Sequence, residues 1–292
     1  MAEPRHRLEY SAIVDRPPVT LPRNGRMAIW SVLNLEVWDI GRAMARQLLP
    51  APNGLPALPD VPHWTWHEYG MRVGFWRLYD LYQRFGVSPT VSINARVCED
   101  YPRVAGACRD AGWEFMGHGY EQRPMHQEEQ PDATIARAMR IIEHFTGKRP
   151  KGWLGPGLTE TLDTPDQLAA AGIRYIADWV HDDEPTDIAT THGPLVTLPY
   201  SIECNDITMF VVQHHEARYW AQKCIDTFDQ LYLESAQRPK FMTIAVHPYI
   251  SGHPSRIRQL EAVYEHIAQA EGILHWNGEQ LMDWHVGTRV HA

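Results

Sequence analysis

Stretches that read as strands and stretches that read as helices alternate along almost the whole chain, and no other feature limits the possible fold as much. The run Met27-Ala28-Ile29-Trp30-Ser31-Val32-Leu33-Asn34-Leu35 is apolar, rich in branched side chains and preceded by the turn-like Pro22-Arg23-Asn24-Gly25, which predicts a buried strand. Phe75, Leu78, Tyr79, Tyr82 and Phe85 then recur at helical spacing until Gly86 stops them. Further strands are predicted at 89–94, 113–118, 153–154, 173–178, 195–198, 208–212, 241–247 and 272–276. Helices are predicted at about 98–111, 131–146, 164–171, 216–235 and 255–269. Such alternation calls for a mostly parallel sheet, and right-handed crossovers curl that many units into a barrel. The expected fold is therefore α/β, a distorted (β/α) barrel of about seven parallel strands.

The 292 residues, 44% of them hydrophobic, suffice for one large packed domain, and no boundary, repeat or low-complexity segment divides them, so 1–292 is read as a single domain. A net charge of -9 without any basic run argues against a nucleic-acid partner. No apolar stretch approaches the ~20 residues of a membrane span, and the first residues lack the apolar core of a signal peptide. The expectation is a cytoplasmic protein. Cys98, Cys108, Cys204 and Cys224 are too scattered for a zinc knuckle or a disulfide framework. Residues 1–25 read as an irregular arm. Residues 37–68, broken by Pro50, Pro52, Pro56, Pro59 and Pro62, read as a long loop that serves as a lid or an oligomer contact.

Ionisable residues collect at one end of the predicted strands. Glu36 follows the first, His118 ends the strand after Trp113, Asp178 ends the one after Tyr175, and His247 ends the one after Phe241. In barrels of this class the C-terminal edge carries the chemistry, because loops leaving several strands converge over one crevice.

With these residues stand Leu33-Asn34-Leu35-Glu36, His67 through Leu78, His118-Gly119, Gly147 through Trp153, Leu198-Pro199-Tyr200-Ser201 and His247 with Gly252-His253-Pro254-Ser255-Arg256. Together they resemble the polysaccharide deacetylase superfamily (NodB homology, carbohydrate esterase family 4), and within it the metal-independent branch of allantoinases and cyclic imide hydrolases. The resemblance implies a NodB-like barrel. In the deacetylases the first motif is Asp-Asp and the second His-Ser-x-x-His. Here they read Glu36-Val37 and His118-Gly119-Tyr120-Glu121-Gln122, so Val37 and Gln122 replace two of three metal ligands. His126, past Pro124, is a poor substitute. One histidine does not make a divalent site, so neither a metal nor another cofactor is expected.

Hydrolysis of an amide without metal needs a base for water, a donor for the oxyanion and an acid for the leaving nitrogen. Glu36, with its carboxyl pKa expected to be raised by burial, is the candidate base, and His118 and His247 are the candidates for oxyanion donor and acid, in either order. A small cyclic amide, imide or ureide has a carbonyl electrophilic enough for this. Glu68, Arg72, Trp153, Asp178, Asn205 and Asp206 are candidate substrate-binding residues. Each also has a structural reading: an ion pair between Glu68 and Arg72, a core anchor at Trp153, a pair of Asp178 with Arg174, and a turn at Asn205-Asp206. Val37-Trp38-Asp39 and Leu154-Gly155-Pro156-Gly157 depart from the allantoinase pattern and make the pocket more apolar, which puts allantoin itself in doubt. Two other readings stay open: a metal-dependent N-deacetylase of an amino sugar or peptidoglycan fragment, and a non-catalytic binding protein on the same fold. The resemblance also implies a homotetramer.

Overall fold

The first strand, β1 (Met27–Leu35), is buried along its whole length, as expected of a parallel strand covered on both faces. The computed structural model describes residues 4–289 except 52 and 56. Residues 1–3 of the expected arm, Pro52 and Pro56 of the expected loop, and residues 290–292 lie outside the described residues. Around β1 the sheet is built from β2 (Thr90–Ile93), β3 (Glu114–Gly117), β4 (Gly152–Trp153), β5 (Tyr175–Ile176), β6 (Thr186–Ile188), β7 (Leu195–Thr197), β8 (Lys240–Val246) and β9 (Ile273–Trp276). The order is β6-β7-β5-β4-β3-β2-β1-β8, and every pairing is parallel except β6 with β7. One edge of β1 pairs with β8. Its other edge is shared, Met27–Trp30 pairing with β9 and Val32–Leu35 with β2.

This curled, mostly parallel sheet is a half-barrel whose open seam lies between its end strands, β6 and β8. The segment after β7 fills the seam. The Thr243 hydroxyl donates to the Pro199 carbonyl at 2.6 Å, and the Ala245 N–H donates to the Cys204 carbonyl at 3.1 Å. Strand alternation sorts the side chains. Ala28, Trp30 and Val32 join the cluster inside the barrel with Met116, Tyr175 and Ala245. Met27, Ile29, Leu33 and Leu35 face the helices and pack with Phe75, Leu78 and Tyr264. The same parity continued one step past each strand turns Glu36, His118 and His247 toward the barrel mouth.

Several expected elements are revised. The loop expected over 37–68 ends early, because Val61–Tyr69 is a helix: Asp60 caps it by accepting the His63 N–H at 3.3 Å, and Pro62 lies in the first turn, where no N–H is missed. The helix expected at 98–111 is two pieces, Val97–Asp100 and Pro102–Asp110, interrupted at Tyr101 by the proline after it. The strand expected at 208–212 is a π-helical turn, Ile207–Val212. Asn205 accepts the Ile207 N–H at 2.9 Å and starts the turn, while the neighbouring edge of β8 is already taken by Cys204. Strand β6 and the C-terminal helix Gly278–Arg289 were not expected.

Two close backbone approaches fix the geometry at the mouth. A π-helical turn, Gly70–Gly74, runs into the helix Phe75–Arg84 and lies against the segment after β8. A Cβ on Gly74 would stand 2.1 Å from the Pro248 carbonyl oxygen, and one on Gly70 2.7 Å from the Tyr249 nitrogen, so only glycine permits this contact. Among the described residues no helix is long and apolar enough to cross a membrane.

Candidate active site

Glu36, His118 and His247 meet at a single point. Oε1 of Glu36 lies 3.3 Å from Nε2 of His247 and 3.7 Å from Nε2 of His118, and all three side chains are buried. Each imidazole is held from behind through Nδ1. His247 Nδ1 lies 2.6 Å from Asp206 Oδ1, while the other Asp206 oxygen accepts the His247 backbone N–H and the Ser251 hydroxyl, both at 2.7 Å. His118 Nδ1–H donates to the Leu154 carbonyl at 2.6 Å, which leaves only Nε2 facing the site. The second oxygen of Glu36 accepts from Trp38 Nε1 at 3.1 Å and from the Tyr249 hydroxyl at 3.3 Å.

The electrostatics of this cluster overturn the raised pKa expected for Glu36. Burial does push its carboxyl up, but the charge of His247 and the contacts from both imidazoles outweigh burial and hold it well below the usual carboxylate range. Burial works against the charged form of His247 too, yet Asp206 and Glu36 on either side raise it to about 10. At neutral pH the resting site is therefore a carboxylate against an imidazolium, with a second carboxylate behind.

Behind Trp38 and Tyr249 lies His67, with ring centroids 4.6 and 4.2 Å from theirs. Both its ring nitrogens lack a hydrogen-bond partner among the described residues. Burial pushes its pKa down to about 4, so it packs as a neutral ring.

A cavity of about 490 Å³ opens on the cluster. Asn34, Gln122, Asn205 and Thr208 supply neutral polar groups, Met44, Leu158, Tyr200, Ile202 and Val212 apolar walls, and the segment 38–46 the roof. That roof leads into a clasp: the backbone N–H groups of Leu48 and Leu49 donate to His63 Nε2 at 2.9 and 3.0 Å, while His63 Nδ1 sits 2.8 Å from both Asp60 oxygens. A second cavity, about 450 Å³, lies between Met71, Trp76, Tyr101 and Arg103, and none of the three converging groups lines it.

The expected substrate-binding residues fare unevenly. Asn205 lines the cavity and donates to the Tyr200 hydroxyl at 3.1 Å. Asp206 is fully buried behind His247 and reaches no substrate. Trp153 is in the core, packed over Gly117, and is not a pocket wall. Glu68 accepts from the Tyr101 hydroxyl, Arg72 is exposed, and the two make no ion pair among the described residues. Neither lines the cavity with Glu36. Asp178 is also off the lining and makes no pair with Arg174 among the described residues. It accepts the Gly155 N–H with both oxygens at 2.8 and 3.0 Å, next to the Leu154 carbonyl that holds His118. Burial and the neighbouring Glu160 carboxyl push its pKa well up. Sequence reading missed Asp206 as the support of His247, and Tyr249, Trp38 and Asn94 as the surroundings of Glu36. Asn94 accepts the Val37 N–H at 2.8 Å and donates to the Gln122 side chain at 3.2 Å.

A metal of the deacetylase type does not fit these residues. Val37 is a buried hydrocarbon, the Gln122 side-chain oxygen is engaged by Asn94, and Glu36 already faces a protonated imidazole. Among the described residues no group of three or more His, Cys, Asp or Glu side chains is placed to hold an ion.

A carboxylate and two imidazoles at the C-terminal edge of a curled parallel sheet make up a hydrolytic type of site. The polysaccharide deacetylase family model matches residues 65–176. A Schizosaccharomyces pombe protein assigned to the polysaccharide deacetylases is 30% identical over 237 residues, covering 73% of each chain. A crystal structure of a Pseudomonas aeruginosa PAO1 protein assigned to the same class has TM-score 0.84 and 28% identity over 92% of this chain and 94% of that one. The crystal structure of Puue allantoinase has TM-score 0.85 and 25% identity over 95% and 97%. The chain belongs to the polysaccharide deacetylase family and is a hydrolase acting on carbon–nitrogen bonds other than peptide bonds.

Proposed function

We propose that the protein opens a C–N bond of a small cyclic amide, imide or ureide, with Glu36 as the general base, His247 as the acid and His118 as the oxyanion donor. The observation that carries this reading is the meeting of Glu36 Oε1 with both Nε2 atoms inside one cavity. Water gives its proton to Glu36 and its oxygen to the carbonyl carbon. The C–N bond then breaks as the His247 imidazolium, supported by Asp206, protonates the leaving nitrogen. The His118 ring, fixed through Nδ1, presents Nε2 to the oxyanion and donates there once that nitrogen holds a proton.

The low proton affinity of the resting Glu36 is consistent with these roles. It is imposed mainly by the charge on His247, and that charge disappears when His247 gives up its proton, so the base strengthens as the acid reacts. The buried Asn205 and the apolar groups around the cavity suit a flat, compact substrate. An N-deacetylase of an amino sugar, which the names of several relatives suggest, would need the two ligands that Val37 and Gln122 replace. A homotetramer in the cytoplasm accompanies the allantoinase resemblance, and light scattering measures the first part of that.

The test is hydrolysis of succinimide, hydantoin, dihydrouracil and allantoin by chelator-treated protein, beside an N-acetylglucosamine oligomer. Turnover of a cyclic compound that survives chelation is expected. Deacetylation of the oligomer, lost on chelation and restored by zinc, would overturn the proposal.

A further inference from the structure

We propose that Arg46 recognises an anionic group on the substrate, so that the molecule opened here is a cyclic amide, imide or ureide bearing a carboxylate. The inference rests on the hydrolase reading above and adds the substrate's charge to it.

Three arginines line the cavity, and two of them are already matched. Arg42 lies 3.3 Å from Asp39 and 3.5 Å from Glu121. Arg123 lies 3.8 Å from Glu128 and donates to the Gln127 carbonyl at 2.6 Å. Arg46, half-buried, has neither a carboxylate nor a hydrogen-bond acceptor among the described residues. It is carried on the roof segment, which the buried Met44 anchors to the body. Its charge reaches the hydroxyl of Tyr249, the group that donates to Glu36, so it acts on the same space as the reacting groups.

The acids around the cavity do not answer this cation. Asp39 is taken by Arg42, and Glu36 and Asp206 stand on either side of His247. The floor thus carries two carboxylates against one imidazolium, while the roof carries a free guanidinium. A substrate with one anionic substituent is driven away from the floor and toward the roof, which turns its ring amide toward Glu36 and the imidazoles. Guanidinium and carboxylate match as a fork to a fork, giving paired charge-assisted hydrogen bonds. Met44, Leu158, Ile202 and Val212 provide the apolar faces between which the ring lies. Ring opening keeps the balance simple: water adds OH to the carbonyl carbon and H to the nitrogen, and the product carries a second carboxylate.

Paired probes that differ in one acid-bearing substituent test this: dihydrouracil against dihydroorotate, which differ by the carboxylate alone, and hydantoin against hydantoin-5-acetate, which differ by a carboxymethyl group. The acid-bearing member should have the lower KM. Arg46→Gln should raise that KM about 10- to 100-fold, the loss expected for charge-assisted hydrogen bonds, and change the KM of the neutral member far less, while Arg46→Lys recovers part of the difference. Equal KM values within each pair, or an Arg46→Gln effect the same on both members, would overturn the proposal. Should no cyclic compound be turned over, the hydrolase reading fails on its own. Calorimetric titration of dihydroorotate and hydantoin-5-acetate then addresses Arg46 separately: binding abolished in Arg46→Gln supports the anion site, and absent or unchanged binding refutes it.

Discussion

Replacing Asp206 by asparagine keeps the shape behind His247 and removes the charge. The rise of the His247 pKa from its ordinary 6.5 to about 10 corresponds, at about 1.36 kcal/mol per pH unit, to roughly 5 kcal/mol in favour of the imidazolium. Asp206 and Glu36 share this, so on the order of 2–3 kcal/mol should go with Asp206→Asn. The sign follows from the folded value lying above the unfolded one. The stabilisation is complete below pH 6.5, shrinks as pH rises, and is gone above about 10. The difference in unfolding free energy between wild type and variant should accordingly be largest near pH 6 and should close toward pH 10. Imidazole nitrogen shifts followed by NMR should place the wild-type titration near pH 10 and the variant's about two units lower, with the alkaline limb of kcat/KM moving along with it. A His247 that titrates at the same pH in both proteins would refute the ion-pair account of the site.

Glu36→Gln should lower turnover by about 10²- to 10⁴-fold, the range for a lost general base, and activity within tenfold of wild type would remove Glu36 from that role. Gly74→Ala sets a methyl against the Pro248 carbonyl, and urea titration should register a loss of about 1–3 kcal/mol; unchanged stability would mean that this contact is looser than described. His63→Ala removes the acceptor of two backbone N–H groups, and limited proteolysis within 40–60 should quicken about tenfold, equivalent to one lost hydrogen bond. An unaltered digestion rate would show the clasp to be idle.

The sequence reading recovers the three converging residues because strand polarity alone puts Glu36, His118 and His247 at one edge, and the parity of alternating side chains turns them inward. The helix Pro131–Thr146 is found at its full length because its periodicity and terminal Gly147 leave no ambiguity. What escapes is set by contacts distant along the chain. Nothing local marks Asp206 as the carboxylate of a histidine 41 residues away. Trp153 in isolation reads equally as wall or core. The run Thr208–Val212 has the composition of a strand, yet Asn205 starts a π-helical turn there and Cys204 already occupies the neighbouring edge of β8. The lowered pKa of Glu36 is also beyond the sequence, since burial alone has the opposite sign and only the placement of the imidazoles reverses it.

The chain between Pro199 and Asp206 has two tasks at once. It closes the gap that the strands leave in the barrel wall, and it delivers Asn205 to the cavity and Asp206 to His247. In most barrels the loops that read the ligand can vary while the staves stay intact. Here the reader is itself a stave, so divergence that retunes substrate choice in this segment puts the integrity of the wall at risk, and should be accompanied by compensating changes along Thr243–Ala245.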